Sequence, residues 1–249
     1  MNRRNCRFLL FFVTGSVFLI HGLRAQDSYS IATYTIRYDN PTDTANQQEQ
    51  RSPHPINLIR FHEMDIIGTK EGLYTQVEDI QKEFGFPYIG IGAHLEEERE
   101  SCAVYYDPEK YELLDEGTFS LPKSAENPLG SSDEASNRIC SWGKFQSPEG
   151  DYFYVFNVHY THLGTKARVE SSKLLLKKIQ EINKDHLPCI VTGDFTVEDN
   201  SDVYQELLEG HHSEKRPLFL VTSEGTYTTF PEFLGNISGS ALSLLLSSH

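Results

Sequence analysis

Between Tyr88 and His159 the chain offers one strand-like run after another, with no helical pattern between them. The runs are Tyr88–Ile91, Cys102–Tyr106, Tyr111–Phe119, Arg138–Phe145 and Tyr152–His159, rich in β-branched and aromatic residues and bounded by turn formers. A doubly wound three-layer sheet would need helices between nearly all its strands, so this stretch argues for antiparallel pairing instead. The flanks differ. Strand-like Tyr29–Ile36, Met64–Gly68, Cys189–Thr192 and Leu218–Thr222 alternate with helical patterns at Ile56–His62, Leu73–Phe84, Ala167–Asn183 and Val203–Leu208. Leu73, Val77 and Ile80 fall at helical spacing, and Ala167–Asn183 sets Leu174, Leu175, Ile179 and Ile182 against Lys and Glu. The expected fold is α/β: two mainly antiparallel sheets packed face to face with helices outside. At 38% apolar residues in 249, and with no repeat or Gly/Pro/Ser-rich linker, residues 26–249 read as one domain.

Residues 1–25 stand apart. Arg3, Arg4 and Arg7 precede a nearly apolar run, Phe8–Ile20, and Ala25 offers a small residue before Gln26. That order is a secretory signal peptide, and the run is short for a bilayer, which takes about 20 residues. The expectation is export to the periplasm or the extracellular space, with no membrane span once the peptide is removed. Losing four Arg and no acid takes the net charge from −14 to −18. Such a chain has no general attraction for polymeric nucleic acid. Cys102, Cys140 and Cys189 remain, an odd number in strand-like contexts, and read as small buried apolar residues.

Four short segments, each at the end of an expected strand, carry the chemistry. They are Thr33-Tyr34-Thr35-Ile36-Arg37-Tyr38-Asp39-Asn40-Pro41, Asp65-Ile66-Ile67-Gly68-Thr69-Lys70-Glu71, Phe156-Asn157-Val158-His159-Tyr160-Thr161-His162 and Ile190-Val191-Thr192-Gly193-Asp194-Phe195-Thr196. Glu71 can supply a hard oxygen ligand, of which Mg²⁺ prefers one or two. Asn157, His159 and Thr161 share a strand face by the two-residue alternation, and a His there can contact a phosphate oxygen or protonate a leaving group. Asp194 can orient or deprotonate water, and Thr196, on the same face, can steady charge on phosphoryl oxygens. Arg138 fits a phosphate oxygen. Each also has a plainer reading: a solvated Glu, a Gly-Asp turn, a surface ion pair. His-x-x-His invites zinc, but no Cys or Glu cluster supports it. Asp39 is open between holding a loop and lining the site.

In order and spacing, with Arg138-Ile139-Cys140-Ser141-Trp142 between the second and third, these segments resemble the endonuclease/exonuclease/phosphatase family, specifically its small exported bacterial members. The likeness runs from about Ser30 to Thr226. It implies a four-layered α/β sandwich and Mg²⁺- or Mn²⁺-dependent hydrolysis of phosphate esters, on a small phosphorylated substrate. His159, Asp194, Asn157 and Arg138 fall at catalytic positions and Glu71 at a metal position. The departures are Thr35 for Asn, Lys70 for Gln, Thr161 for Asp and Thr196 for Asn. A Lys70 ammonium beside Glu71 is able to compete with the metal by pairing with that ligand. The family continues after Gly225-Thr226-Tyr227 with an Asp-bearing strand, Ser-Asp-His and a closing strand; here no Asp follows Asp202, and Ser247-Ser248-His249 only echoes the motif. The expectations are weak metal binding, impaired activity and a sandwich lacking its last strands. Two alternatives stay open: a non-catalytic relative that binds a phosphorylated ligand, and a glycan-binding domain suggested by 12% aromatic residues.

Overall fold

The computed structural model describes residues 29–36, 53–90, 101–121, 138–160, 164–196, 202–209, 218–220 and 243–248. Segment 1–25, where a signal peptide is expected, Asp39, Thr161, His162 and the stretch 221–242 lie outside them. The elements in chain order are β1 (Ile31–Thr35), α1 (Pro53–Phe61), β2 (Ile66–Lys70), α2 (Tyr74–Phe84), β3 (Tyr88–Ile89), β4 (Val104–Tyr106), β5 (Glu112–Ser120), β6 (Ile139–Gln146), β7 (Tyr152–His159), α3 (Thr165–Ile182), β8 (Cys189–Asp194), α4 (Asp202–Glu209), β9 (Leu218–Leu220) and β10 (Ser243–Ser248).

They form a four-stranded sheet, β1-β2-β4-β3, and a six-stranded sheet, β5-β6-β7-β8-β10-β9. Antiparallel pairing dominates both. The parallel pairs are β1–β2 and β7–β8. Those are the strands joined through α1 and α3, as a parallel pair requires a crossover long enough to return the chain. The consecutive strands β5, β6 and β7 pair antiparallel in sequence order, the arrangement that the helix-free stretch foretold.

Four layers follow from what each face buries. Ile59 of α1 and Val77 and Ile80 of α2 pack with Ile36, Ile67, Ala103 and Tyr105 on the outer face of the small sheet. Leu175, Leu176 and Ile179 of α3, with Val203 and Leu207 of α4, cover Cys140, Trp142, Tyr154, Phe156, Val158 and Val191 on the outer face of the large sheet. Between the sheets lie Ile66, Ile89, Val104, Tyr111, Phe145, Phe153 and Val155. Burial of these side chains contributes about 1.5–3 kcal/mol each relative to exposure, and dominates the favourable side of folding. Cys102, Cys140 and Cys189 are free thiols inside this core.

One element departs from expectation. Ser243–Ser248 pairs antiparallel with β8 on one side and with β9 on the other. The run Leu244-Leu245-Leu246 carries no strand-specific period, since a short apolar run reads equally as strand or helix. What selects the strand is the otherwise unpaired edge of β8, whose amides and carbonyls need a ladder partner. No helix among the described residues is long and apolar enough to cross a membrane.

Candidate active site

The layer between the sheets changes character along the strands. At one end it is aromatic: Phe145 and Phe153 stack with ring centroids 5.8 Å apart. Further along β7 and β8 the inward positions become Asn157 and Thr192, then His159 and Asp194, because alternate residues face the same side. Polar groups therefore replace apolar ones toward the C-terminal ends of β7 and β8.

Asn157 is fully buried and holds the sheets together. Its amide donates to the carbonyls of Thr69, at 2.8 Å, and Ala103, at 3.1 Å, on the opposite sheet. Its Oδ1 accepts from the Thr192 hydroxyl at 2.9 Å. Gly68 makes this approach possible: a Cβ there would stand 2.4 Å from both Asn157 Oδ1 and Thr192 Oγ1. Asn157 thus lies one step beneath the rim, with its amide engaged by protein.

At the rim three side chains touch. Arg138 Nη1 lies 2.7 Å from His159 Nδ1 and 3.1 Å from Nε2, so the guanidinium sits against the side of the ring that carries both nitrogens. Glu71 Oε1 lies 3.6 Å from His159 Nε2. A neutral imidazole accepts from Arg138; a protonated one pairs with Glu71. Asp194 is the Cα register partner of His159 across the parallel β7–β8 pair, and only 3% exposed. Its Oδ1 accepts from the Thr196 amide at 2.8 Å and the Thr196 hydroxyl at 3.2 Å, a local turn that fixes the carboxylate. Glu71 and Thr196 both hold positive φ, 61° and 51°. Left-handed backbone at a non-glycine residue is uncommon, and such strain concentrates at functional sites.

Two substituted positions behave differently. Thr35 Oγ1 is buried without a hydrogen-bond partner. Lys70, its register partner on β2, is wholly buried, and its ammonium donates to the Thr33 hydroxyl. The pairing of Lys70 with Glu71 that the sequence allowed gives way to this interior placement, because strand alternation turns Lys70 between the sheets. Burial pushes the ammonium down to about 8, against the opposing charges of Asp194, Cys102 and Glu71.

Of the positions singled out in sequence, Arg138, His159 and Glu71 meet directly, Asp194 adjoins them through β8, and Thr196 turns onto Asp194. Thr161 lies outside the described residues. Thr33, Gly68 and Thr192 were missed. Thr33 and Thr192 each stand two residues before a position already singled out, Thr35 and Asp194, so extending the alternation one step would have found both.

A divalent ion such as Mg²⁺ demands near-octahedral oxygen ligands at about 2.0–2.1 Å. Among the described residues the rim offers the carboxylates of Glu71 and Asp194, and the orphan Thr35 hydroxyl one register position from Glu71. Asp194 Oδ1 is engaged by Thr196, and the Lys70 ammonium lies buried on the facing strand. No group of three or more His, Cys, Asp or Glu among the described residues is placed to hold a metal ion. This donor set does not fit a tightly held divalent cation.

No protein-family model matches the sequence, and no curated protein matches it either. Solved structures do. The chain is 30% identical to a mannosyl-6-phosphatase of Bacteroides thetaiotaomicron, with a TM-score of 0.74 over 89% of this chain and 85% of that one. It is 32% identical to an endonuclease/exonuclease/phosphatase protein of Bacteroides vulgatus, with a TM-score of 0.73 over 87% of this chain and 85% of that one. The human Nocturnin catalytic domain, solved with a bound sulfate anion, shares the fold at 16% identity, with a TM-score of 0.64 over 86% of this chain and 92% of that one. With the sandwich in hand, and relatives at this identity aligned over most of both chains, the protein belongs to the endonuclease/exonuclease/phosphatase family.

Proposed function

We propose that this protein binds a small phosphorylated ligand at the Arg138–His159–Glu71 rim and hydrolyses its phosphate ester far more slowly than an intact family member. The observation that carries this reading is the contact of Arg138 with His159 beside Asp194 at the C-terminal ends of β7 and β8. Arg138 presents donors to phosphoryl oxygens. His159 contacts the same group and gives a proton to the leaving oxygen. Asp194, oriented by Thr196, accepts a proton from the attacking water. Thr196 supplies a hydroxyl where the family has an amide. Loss of one transition-state donor costs about 10²–10³-fold in rate, and loss of a general base about 10²–10⁴-fold. These losses need not multiply, since residues acting as a unit are not additive. Mg²⁺ or Mn²⁺ binds weakly, through Glu71.

The mannosyl-6-phosphatase relative makes a sugar monophosphate a natural first substrate. The assay is turnover of mannose 6-phosphate, p-nitrophenyl phosphate and bis-p-nitrophenyl phosphate with Mg²⁺ and with Mn²⁺, using Glu71→Ala as the blank. Slow or absent turnover is expected. Rapid turnover that vanishes in Glu71→Ala would overturn the impaired reading. A non-catalytic relative is the second reading, favoured by the burial of Lys70 at a position where the family has Gln; ligand binding without product would select it. The glycan-binding alternative would have to use other aromatics, since Trp142, Tyr154 and Phe156 pack in the outer core of the large sheet and Phe145 and Phe153 between the sheets. We further propose export to the periplasm or beyond, with cleavage after Ala25. N-terminal sequencing of secreted protein should begin at Gln26; a start at Met1 would refute it.

A further inference from the structure

Three observations bear on one point. Lys70 is wholly buried at the end of β2, on the face that meets β7 and β8. The carboxylate of Asp194 is almost as deeply buried on the opposing sheet, and Glu71 is the next residue in the chain. Thr35, the position in register with Lys70, carries a hydroxyl with no partner and no charge. A buried carboxylate is retained only when a positive charge or several donors balance it, and so is a buried ammonium. Here the ammonium donates to the Thr33 hydroxyl and the carboxylate accepts from Thr196, so each is held by its own sheet while the two stand on faces that meet. A divalent ion placed among the same carboxylates would sit beside a fixed positive charge in a poorly screening environment, where like charges repel strongly.

We propose that the Lys70 ammonium is the resident cation of this site: a side chain of the protein fills the charge role of a divalent ion, so the rim is assembled without one and holds it only weakly. Lys70 is a positioning residue, since its burial keeps it from touching a ligand; phosphoryl oxygens are met by Arg138. The inference rests on the phosphoryl-binding reading of the same rim only for its last step, the binding of phosphate.

The test is calorimetric titration of the full chain with Mn²⁺ alone. Wild type should bind more weakly than about 1 mM, and Lys70→Gln tighter by about tenfold or more. The double variant Lys70→Gln/Glu71→Ala should lose the gain. A purely structural role for Lys70 would not raise metal affinity on its removal. Equal affinity in wild type and Lys70→Gln overturns the proposal. A second measurement needs no variant: the wild-type melting temperature should be the same in EDTA and in 1 mM Mn²⁺, about the threshold above. A saturable rise with Mn²⁺ would sink the inference even if Lys70→Gln failed to fold. In parallel, inorganic phosphate should raise the melting temperature equally with and without EDTA. A phosphate shift abolished by EDTA counts against a resident cation. If phosphate gives no shift while Lys70→Gln still gains Mn²⁺, the phosphoryl-binding reading falls and the role of Lys70 stands.

Discussion

Asn157 and His159 are two residues apart on one strand face, yet they serve different ends. His159 reaches the rim and meets Arg138 and Glu71; Asn157 spends its amide on two carbonyls of the other sheet. Asn157→Ala should therefore destabilise the fold by about 2–4 kcal/mol, from lost hydrogen bonds and a small cavity. Urea unfolding reads this directly, and a loss below about 1 kcal/mol would contradict the cross-sheet role. The thiols give a second check at this scale. Burial pushes Cys102 up to about 12 and Cys140 well above its ordinary value, and Cys189 is equally enclosed. Native protein should leave Ellman's reagent unreacted at pH 8, with the buried thiols appearing only on unfolding. Fast reaction in the native state would mean that the core opens readily. Sequence identified Glu71, His159, Asp194 and Arg138 as a group, because strand ends collect polar side chains. It could not say that Lys70 turns inward, since a Lys is ordinarily solvated.

At the scale of elements, two glycines separate two kinds of constraint. Gly85 ends α2 at φ 70° with open space around it, so Gly85→Ala should cost only the left-handed backbone, about 1–2 kcal/mol. Gly68 has an ordinary strand backbone, but a Cβ would strike Asn157 and Thr192. Gly68→Ala should lose about 1–3 kcal/mol by overpacking. The double variant Gly68→Ala/Asn157→Ala should recover part of that loss, because the two sites are in contact and couple. Strict additivity in a denaturation cycle would show that the sheets do not meet there. Element boundaries expected from sequence fall within a few residues of those observed. The exception is Ser243–Ser248, whose strand state depends on the edge of β8.

Across the whole molecule, burial raises several weak acids together: Tyr88 and Cys102 up to about 12, and Tyr105, Tyr111, Tyr160 and Cys140 well up from their ordinary values. Raised values mean that the fold holds protons which the unfolded chain has released once the pH passes about 9–10. Stability from these groups is complete below that range and lost as pH climbs through the folded values. Lys70 works in the opposite sense between about 8 and 10.5, where the fold has given up a proton that the unfolded chain keeps. Above 10.5 nothing from Lys70 offsets the loss. Denaturation midpoints should fall steeply there, and a share of the tyrosinate absorbance, that of the buried rings, should appear only with unfolding. Ionisation of all thirteen tyrosines near pH 10 with the fold intact would contradict the enclosed core.

The sequence alone determined the layer plan and put the candidate residues at strand ends. Strand and helix periods are local, the helix-free middle forces antiparallel neighbours, and both observed parallel pairs are joined through a helix. Short motifs at strand ends likewise carried the family resemblance, because each is read within a few residues. Tertiary structure alone decided the rest. Sheet-to-sheet distance, set where Gly68 faces Asn157, determines which polar side chains are consumed inside and which stay at the rim. Register between β1 and β2 put Lys70 opposite Thr35, and register between β7 and β8 put Asp194 beside His159. Pairing partners far apart in the chain leave no local period to read, so only the folded sheets could place a lysine charge beneath an acidic rim.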